Sequence, residues 1–223
     1  MWDCLQMRTT ACAPQEQEGT GVMATAPAVT LNPDLAGYRT DFEQAKSDFH
    51  DLVEGLDDAQ FNWRPSENEW SAAECIDHLV AIGTLMTRKI DEAIEKGEAN
   101  GWRSEGPFTY SRIGNWFVKT VGPRDEDNRR KFKAPAIYAP TSNHSISRLE
   151  KAFCDMQDGF IVRLERANGL DLAKVKLPSP ITSLLKFSLG QWFALLAGHQ
   201  KRHFQQAQAV KTQLPRAKSG TAN

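Results

Sequence analysis

The chain has 223 residues, of which 40% are hydrophobic and 25% are charged, and its formal net charge at pH 7 is -1. This composition is typical of a globular protein with one large domain or two small ones. Charges of both signs are mixed along the chain and no apolar run approaches the length of a membrane span, so we expect neither a nucleic-acid partner nor a membrane.

The N-terminal residues 1–30 mix Thr, Ala, Pro, Gln, Glu and Gly without an apolar period, which predicts a disordered leader. Met23 lies near the end of this stretch, and we hypothesise that translation starts there. Mass spectrometry of the native N-terminus tests this hypothesis, and a peptide from the residues before Met23 would contradict it.

The first helix is predicted to begin after Asn32, a favourable N-cap residue that is followed by Pro33 at the first helical position. Apolar residues then recur at steps of three and four, and Gly55 is expected to end the helix. His50 lies beside this apolar stripe and is predicted to be a solvated surface residue. The stripe consists of Leu35, Tyr38, Phe42, Ala45, Phe49, Leu52 and Val53.

The second helix has a sharply defined start, because Ser71 and Glu74 have the Ser-x-x-Glu spacing of a capping box. His78 falls within the apolar stripe of this helix, so its imidazole is predicted to point into the core. The helix ends near Gly97, and its stripe includes Cys75, Leu79, Ile82, Met86 and Ile90.

A long excursion over residues 98–141 separates the second helix from the third. Residues 113–118 predict a short helix that ends before Gly122, and Pro135 and Pro140 bracket a segment that we expect to be extended. Excursions of this length inside a compact domain are usually either functional or a cover for another part of the domain. We interpret this one as a flap that packs on one end of the helices.

The third helix is predicted to begin between Ser142 and Ser145 and to end at Gly169. His144 precedes its apolar stripe and is predicted to lie at the surface. The segment from Leu177 is predicted to be an extended connection that leads to the last helix. The stripe of the third helix consists of Ile146, Leu149, Phe153, Met156, Phe160 and Leu164.

The last helix is predicted over residues 189–211, because Ser188 and Gln191 form a second capping box. A polar, flexible tail is expected over residues 212–223. No segment alternates convincingly between apolar and polar residues, so residues 31–211 are predicted to form an all-α four-helix bundle.

Two histidines, His199 and His203, lie four residues apart in the last helix and therefore share one face of it. That face is apolar on both sides of the pair, so both imidazoles are predicted to be buried and to need a polar partner. Together with His78 they make three inward histidines, and three His ligands with an open fourth position are typical of a catalytic zinc-type site.

Other interpretations of these histidines stay open. A lone His-x-x-x-His is weak evidence for a metal, and a core pair satisfied by Glu, Gln or backbone groups is the alternative. Glu74, one turn before His78, is a candidate general base or hydrogen-bond acceptor for a ligand, but the capping box already explains it.

Several motifs, in this order over residues 31–210, resemble those of the DinB-like proteins, the damage-inducible family. The resemblance implies an up-down-down-up bundle in which His78, His199 and His203 bind a divalent metal. It also implies homodimers, and thiol-dependent S-transferases or isomerases that use low-molecular-weight thiols. The motifs are Trp63-Arg64-Pro65, Glu69-Trp70-Ser71-Ala72-Ala73-Glu74, His78-Leu79, Phe132-Lys133-Ala134-Pro135 and Gly198-His199-Gln200-Lys201-Arg202-His203-Phe204-Gln205-Gln206.

Our leading interpretation is a metal-dependent enzyme of the thiol S-transferase or hydrolase type, which acts on a small-molecule substrate, with a low-molecular-weight thiol as a candidate partner. Zn and Ni are the favoured ions, and Fe and Mn are further candidates. The alternative is a non-catalytic helical bundle, in which a structural metal or a hydrogen-bonded His cluster stabilises the packing, and which acts as a stress-related binding module.

The four cysteines include no Cys-x-x-Cys pair. Two of them, Cys75 and Cys154, lie on apolar stripes, where a free thiol behaves as a small hydrophobic residue. This usage predicts a reducing cytoplasm rather than a disulfide framework.

Overall fold

The computed structural model describes residues 30–124, 135–179 and 184–215. Its fold is mostly helical, in agreement with the expected all-α class, and none of the helices in these three ranges is long and apolar enough to cross a membrane. The helices are α1 (Pro33–Val53), α2 (Asp58–Phe61), α3 (Ala72–Ala99), α4 (Arg112–Val121), α5 (Ile146–Ala167) and α6 (Leu189–Lys211). A two-stranded antiparallel sheet joins β1 (Lys176–Pro178) to β2 (Lys186–Ser188), and a 3₁₀ turn covers Ala136–Tyr138.

Side-chain caps begin three of the long helices where the sequence predicts them. The side chain of Asn32 accepts a hydrogen bond of 3.0 Å from the backbone N–H two residues on. Ser71 with Glu74, and Ser188 with Gln191, form both hydrogen bonds of a capping box. These bonds satisfy N–H groups that the first helical turn leaves without partners, so the starts of α3 and α6 are well defined.

Four long helices, α1, α3, α5 and α6, surround one apolar core, and α1 and α3 each contact both α5 and α6. Aromatic rings connect α1 to α5, since the ring centroids of Phe42 and Phe160 are 5.1 Å apart and those of Phe49 and Phe153 are 5.5 Å apart. All four rings are fully buried. Burial of this much aromatic surface stabilises the arrangement of the helices, which in turn positions the side chains of α3 and α6.

The sequence interpretation missed the small sheet. The segment that begins at Leu177 is not merely a connection, because β1 pairs with β2 and places Leu177 opposite Phe187. Both side chains are only 1% exposed. Strands of three residues are too short to show an alternating pattern, which explains why no strand was predicted.

The excursion between α3 and α5 contains the predicted short helix, which is α4 and is longer than expected, and α4 packs on α6. The segment between Pro135 and Pro140 holds a 3₁₀ turn rather than being extended throughout. The one-turn helix α2 was not predicted. The predicted leader with its start at Met23, except for its last residue, and the tail beyond residue 215 lie outside the described residues.

The two cysteines of the described ranges differ. Cys75 is a free thiol with no exposed surface, and burial, followed by the neighbouring charge of Glu74, raises its pKa. This agrees with its predicted place on the apolar stripe of α3. Cys154 is disulfide-bonded, so the expectation of a free thiol at this position is wrong.

Candidate metal centre

The structure brings the three inward histidines together, although they come from two helices. His78 lies in the second turn of α3, and His199 and His203 lie on one face of α6, which packs against α3. The Nε2 atoms of His78 and His199 are 3.3 Å apart. Each of the three residues offers one ring nitrogen, and these nitrogens all lie within 4.8 Å of one another.

Two backbone carbonyls determine the tautomers of His78 and His199. The Nδ1–H of His78 donates to the carbonyl of Tyr138 at 2.6 Å, and the Nδ1–H of His199 donates to the carbonyl of Val121 at 3.2 Å. A carbonyl only accepts hydrogen bonds, so the proton of each neutral ring must be on Nδ1. The two facing Nε2 atoms therefore both carry lone pairs and cannot share a hydrogen bond.

This arrangement fits a divalent ion better than a cluster held by hydrogen bonds. Facing lone pairs repel each other, whereas a cation between them attracts both. A tetrahedral ion with Zn–N bonds of about 2.0–2.1 Å requires nitrogens about 3.3–3.4 Å apart. The observed separation of 3.3 Å for His78 and His199 satisfies this requirement.

His203 is the one histidine of the cluster with a buried ring nitrogen that has no hydrogen-bond partner among the described residues. That nitrogen is Nδ1, and the side chain is 6% exposed. Its ring centroid lies 4.5 Å from that of His199 and 4.7 Å from that of His78. The indole of Trp70 covers the cluster, with ring centroids 4.9 Å from His78 and 5.8 Å from His203.

All three imidazoles are neutral near pH 7. Burial lowers the pKa of His78, and it lowers the pKa of His199 to about 4 with a further contribution from the nearby His78. Burial and then the two neighbouring histidines hold the pKa of His203 well below its usual value. Metal ions bind the neutral form of imidazole, so no proton has to leave before binding.

The metal-free protein is expected to lose stability in acid. Because the pKa of His199 is about 4 when folded and about 6.5 when unfolded, the unfolded chain binds a proton in this window that the folded protein does not. The stabilisation is complete above about pH 6.5 and falls by up to about 3 kcal/mol as the pH drops through about 4. Urea unfolding in the presence of a chelator, at about pH 7.5 and about pH 4.5, measures this loss.

Two histidine variants serve as controls for this measurement. His199→Gln should lose less stability between the two pH values than the wild type, because it lacks the buried imidazole. His50→Gln should keep the wild-type loss, since His50 is exposed on α1. Equal losses in all three proteins would contradict the prediction.

The remaining candidates from the sequence take structural roles. Glu74 is 1% exposed and is an ion-pair partner of Arg64 as well as the capping-box acceptor, which confirms its capping interpretation. Burial raises its pKa, but hydrogen bonds from Arg64, Ser71 and Ser142 outweigh burial and lower it, so Glu74 is ionised and its oxygens are occupied. His144 is half-buried against Asp77 rather than fully at the surface, and it is not part of the cluster.

Sequence reasoning missed the groups that surround the three histidines. The carbonyls of Val121 and Tyr138 have no sequence signal, because every residue has a carbonyl. Trp70 stood in a motif but had no assigned role. Its position next to the cap of α3 was the only available hint that it lies near His78.

Comparison with known proteins gives matches over most of the chain, including the range that holds this centre. A family model described as the DinB superfamily matches residues 41–207, a range that includes all three histidines. The uncharacterized protein YuaE of Bacillus subtilis (strain 168) is 25% identical over 177 residues, which are 79% of this chain and 98% of that protein. No solved structure matches the chain.

Proposed function

The chain belongs to the DinB superfamily, and on this basis we propose that it is a metal-dependent enzyme whose divalent ion is held by His78, His199 and His203. The observation that carries the proposal is the pair of Nε2 atoms of His78 and His199, which face each other at 3.3 Å. Both carry a lone pair, because the Nδ1 atom of each ring holds the proton and donates a hydrogen bond to a backbone carbonyl. Zn and Ni are the first candidates, because both accept imidazole ligands, and Fe and Mn are further ones.

The substrate is proposed to be a small molecule that reaches the fourth coordination position, with a low-molecular-weight thiol as the first candidate. A bound divalent ion can lower the pKa of water or of a thiol and can polarise a carbonyl. The protein contributes three neutral ligands in one orientation and the indole of Trp70 as a cover. Thiol transfer and hydrolysis are the reaction classes that fit.

Positive charge near the centre supports an anionic ligand such as a thiolate. The charges of Arg202 and Arg124 lower the pKa of His203, in addition to the larger effects of burial and of the other two histidines. Cations close enough to disfavour a protonated imidazole favour an anion at the same place. A thiolate is such an anion.

The proposal also includes the topology of the helices, the oligomeric state and the cellular location. We infer an up-down-down-up four-helix bundle, supported by the contacts of α1 and α3 with both α5 and α6. A homodimer is an expectation that comes from the family resemblance. A cytoplasmic location was expected from the cysteine usage, and the disulfide of Cys154 removes part of that support. Gel filtration with light scattering tests the first of these.

Metal analysis of the protein purified without a His tag tests the proposed function. We expect about one divalent ion per chain, or an apo protein that regains about one Zn or Ni ion with a micromolar or lower Kd. Metal that cannot be restored to a stoichiometric level would contradict the proposal. A Co²⁺-loaded sample then shows whether a small thiol, such as free cysteine, adds a sulfur-to-cobalt absorption band.

The same sample separates an enzyme from a bundle with a structural metal. A structural ion has four protein ligands, so chelation should lower Tm strongly and added thiol should leave the Co²⁺ spectrum unchanged. An open catalytic site should show the thiol-dependent band. Loss of Tm without thiol binding would favour the non-catalytic alternative.

A further inference from the structure

The two carbonyls that orient His78 and His199 come from the two described parts of the excursion between α3 and α5. Val121 is the last residue of α4, and Tyr138 ends the 3₁₀ turn. We propose that these two described parts, within residues 98–124 and 135–141, form the supporting shell of the metal centre, and that Arg202 and Asp77 are positioning residues that hold the two carbonyls in place. The inference rests on the proposed metal function, but its geometry exists in the metal-free protein.

Arg202 holds the end of α4 on both sides of Val121. Its Nη1 donates to the carbonyl of Thr120 at 3.3 Å and to the carbonyl of Gly122 at 3.2 Å, and the residue is only 5% exposed. The last carbonyls of a helix lack helical partners and form the negative end of its dipole, so a guanidinium is favourable there. With both neighbours held, the carbonyl of Val121 remains directed at Nδ1 of His199.

The end of α4 packs closely against α6 and is tied to it by one amide. A Cβ placed on Gly198 would lie 3.4 Å from the Cα of Gly122, which is ordinary van der Waals contact, so the two backbones are close neighbours here. The side chain of Gln205 accepts a hydrogen bond of 2.8 Å from the backbone N–H of Arg124. These contacts place the end of α4 directly beside the turn of α6 that carries His199.

Asp77 holds the segment whose carbonyl accepts the hydrogen bond of His78, as Arg202 holds the end of α4 for His199. Its Oδ2 accepts hydrogen bonds from the backbone N–H of Thr141 at 2.7 Å and from the Thr141 hydroxyl at 3.0 Å. The side chain of Tyr138 is 4% exposed and packs in the core, which anchors the other end of the segment. The carbonyl of Tyr138 is thus held against Nδ1 of His78 from both sides.

Such supporting hydrogen bonds matter for a metal because they fix the orientation of the ring and raise the basicity of the coordinating nitrogen. Loss of a partner of this kind typically weakens metal binding by about 10–100-fold. Here each partner is a backbone carbonyl, so a substitution must act through the residue that holds that carbonyl. Within the described ranges, Arg202 and Asp77 are the side chains that we assign to this role.

Nitrogen NMR of the histidine rings in the metal-free protein tests the proposal directly, because ¹⁵N shifts report which ring nitrogen is protonated. We expect the wild type to show the Nδ1–H tautomer for both His78 and His199 at about pH 8, where both rings are neutral. Arg202→Met should shift His199 toward a mixture of tautomers and leave His78 unchanged. Asp77→Ala should do the opposite.

Metal affinity is the second measurement on the same variants. Titration with Zn²⁺ in competition with a chelator should give a Kd about 10–100-fold higher for Arg202→Met and for Asp77→Ala. Asp77→Asn keeps an acceptor for Thr141 and should restore most of the affinity. Arg166→Met removes an arginine that pairs with Asp91 away from the centre, and it should keep the wild-type Kd and tautomers.

The outcomes separate the inference from the proposed function. Unchanged tautomers in both Arg202→Met and Asp77→Ala would overturn the inference even if the wild type binds metal. Equal effects on both histidines in each variant would also overturn it, since that result indicates general loosening. Residue-specific tautomer changes without any metal binding would uphold the inference and overturn the proposed function. If Arg202→Met does not fold, Arg202→Lys keeps the charge but not the two-acceptor geometry and should still shift His199.

Discussion

Replacing His203 by leucine is expected to weaken metal binding by about 10²–10⁴-fold. Three ligands that share a binding free energy of about 10–16 kcal/mol contribute about 3–5 kcal/mol each, and the variant loses one of them. Isothermal titration of the metal-free protein with Zn²⁺ measures the change. The metal-dependent rise in Tm should disappear with the affinity, since a ligand stabilises a protein only as far as it binds the folded state.

The same substitution should stabilise the metal-free protein, which is unusual for a core position. The buried Nδ1 of His203 has no hydrogen-bond partner among the described residues, and an unsatisfied polar group costs about 1–3 kcal/mol. Leucine has a similar size and no polar atom. A variant that is more stable without metal and no longer stabilised by it would show that this histidine is kept for binding rather than for packing.

His50→Leu is the matched control, because it makes the same chemical change at an exposed position of α1. It should keep the wild-type Zn²⁺ affinity. If His203→Leu keeps the wild-type Zn²⁺ affinity, His203 is not a metal ligand. If the variant is less stable than the wild type without metal, the unsatisfied Nδ1 of His203 does not destabilise the metal-free protein.

Replacing Phe160 by alanine is expected to lower the free energy of unfolding by about 3–5 kcal/mol. Phe160 has no exposed surface, it packs on Phe42 at 5.1 Å, and its Cζ would be 3.1 Å from a Cβ placed on Gly83. It therefore fills the space where α1, α3 and α5 meet. Its truncation to alanine would leave a cavity at this place. For a domain of this size the expected fall in Tm is about 10 °C.

Urea unfolding of the metal-free form measures this loss, and Val162→Ala is the control from the same helix. Val162 is 52% exposed, so its truncation should change the stability by less than about 0.5 kcal/mol. The folded fraction of Phe160→Ala should still bind metal with near wild-type affinity, because Phe160 does not contact the cluster. A loss below about 1 kcal/mol would mean that the three helices close over the cavity, which contradicts the rigid packing assumed here.

The starts of the long helices could be predicted from the sequence because their causes are local. Ser71 with Glu74 and Ser188 with Gln191 are three residues apart, and each pair satisfies backbone N–H groups of its own first turn. The inward direction of His78 also follows from a local pattern, the spacing of apolar residues along one helix. None of these features needs knowledge of the rest of the fold.

The small sheet shows where such patterns fail. Leu177 and Phe187 pair across β1 and β2, and each strand has only three residues. A hydrophobic pattern needs several residues to distinguish a strand from a connection. The sheet forms because tertiary packing buries both side chains against the same core.

By itself the sequence determined which side chains were available for a metal, namely three histidines on the inner faces of two capped helices. Only the tertiary structure decided how they are oriented, because the hydrogen bonds to His78 and His199 come from carbonyls that are 60 and 78 residues away in the chain. A backbone carbonyl is the same in every residue, so no motif marks the one that will reach an imidazole. Its role depends on where Arg202 and Asp77 hold the excursion, and this is a property of the folded chain.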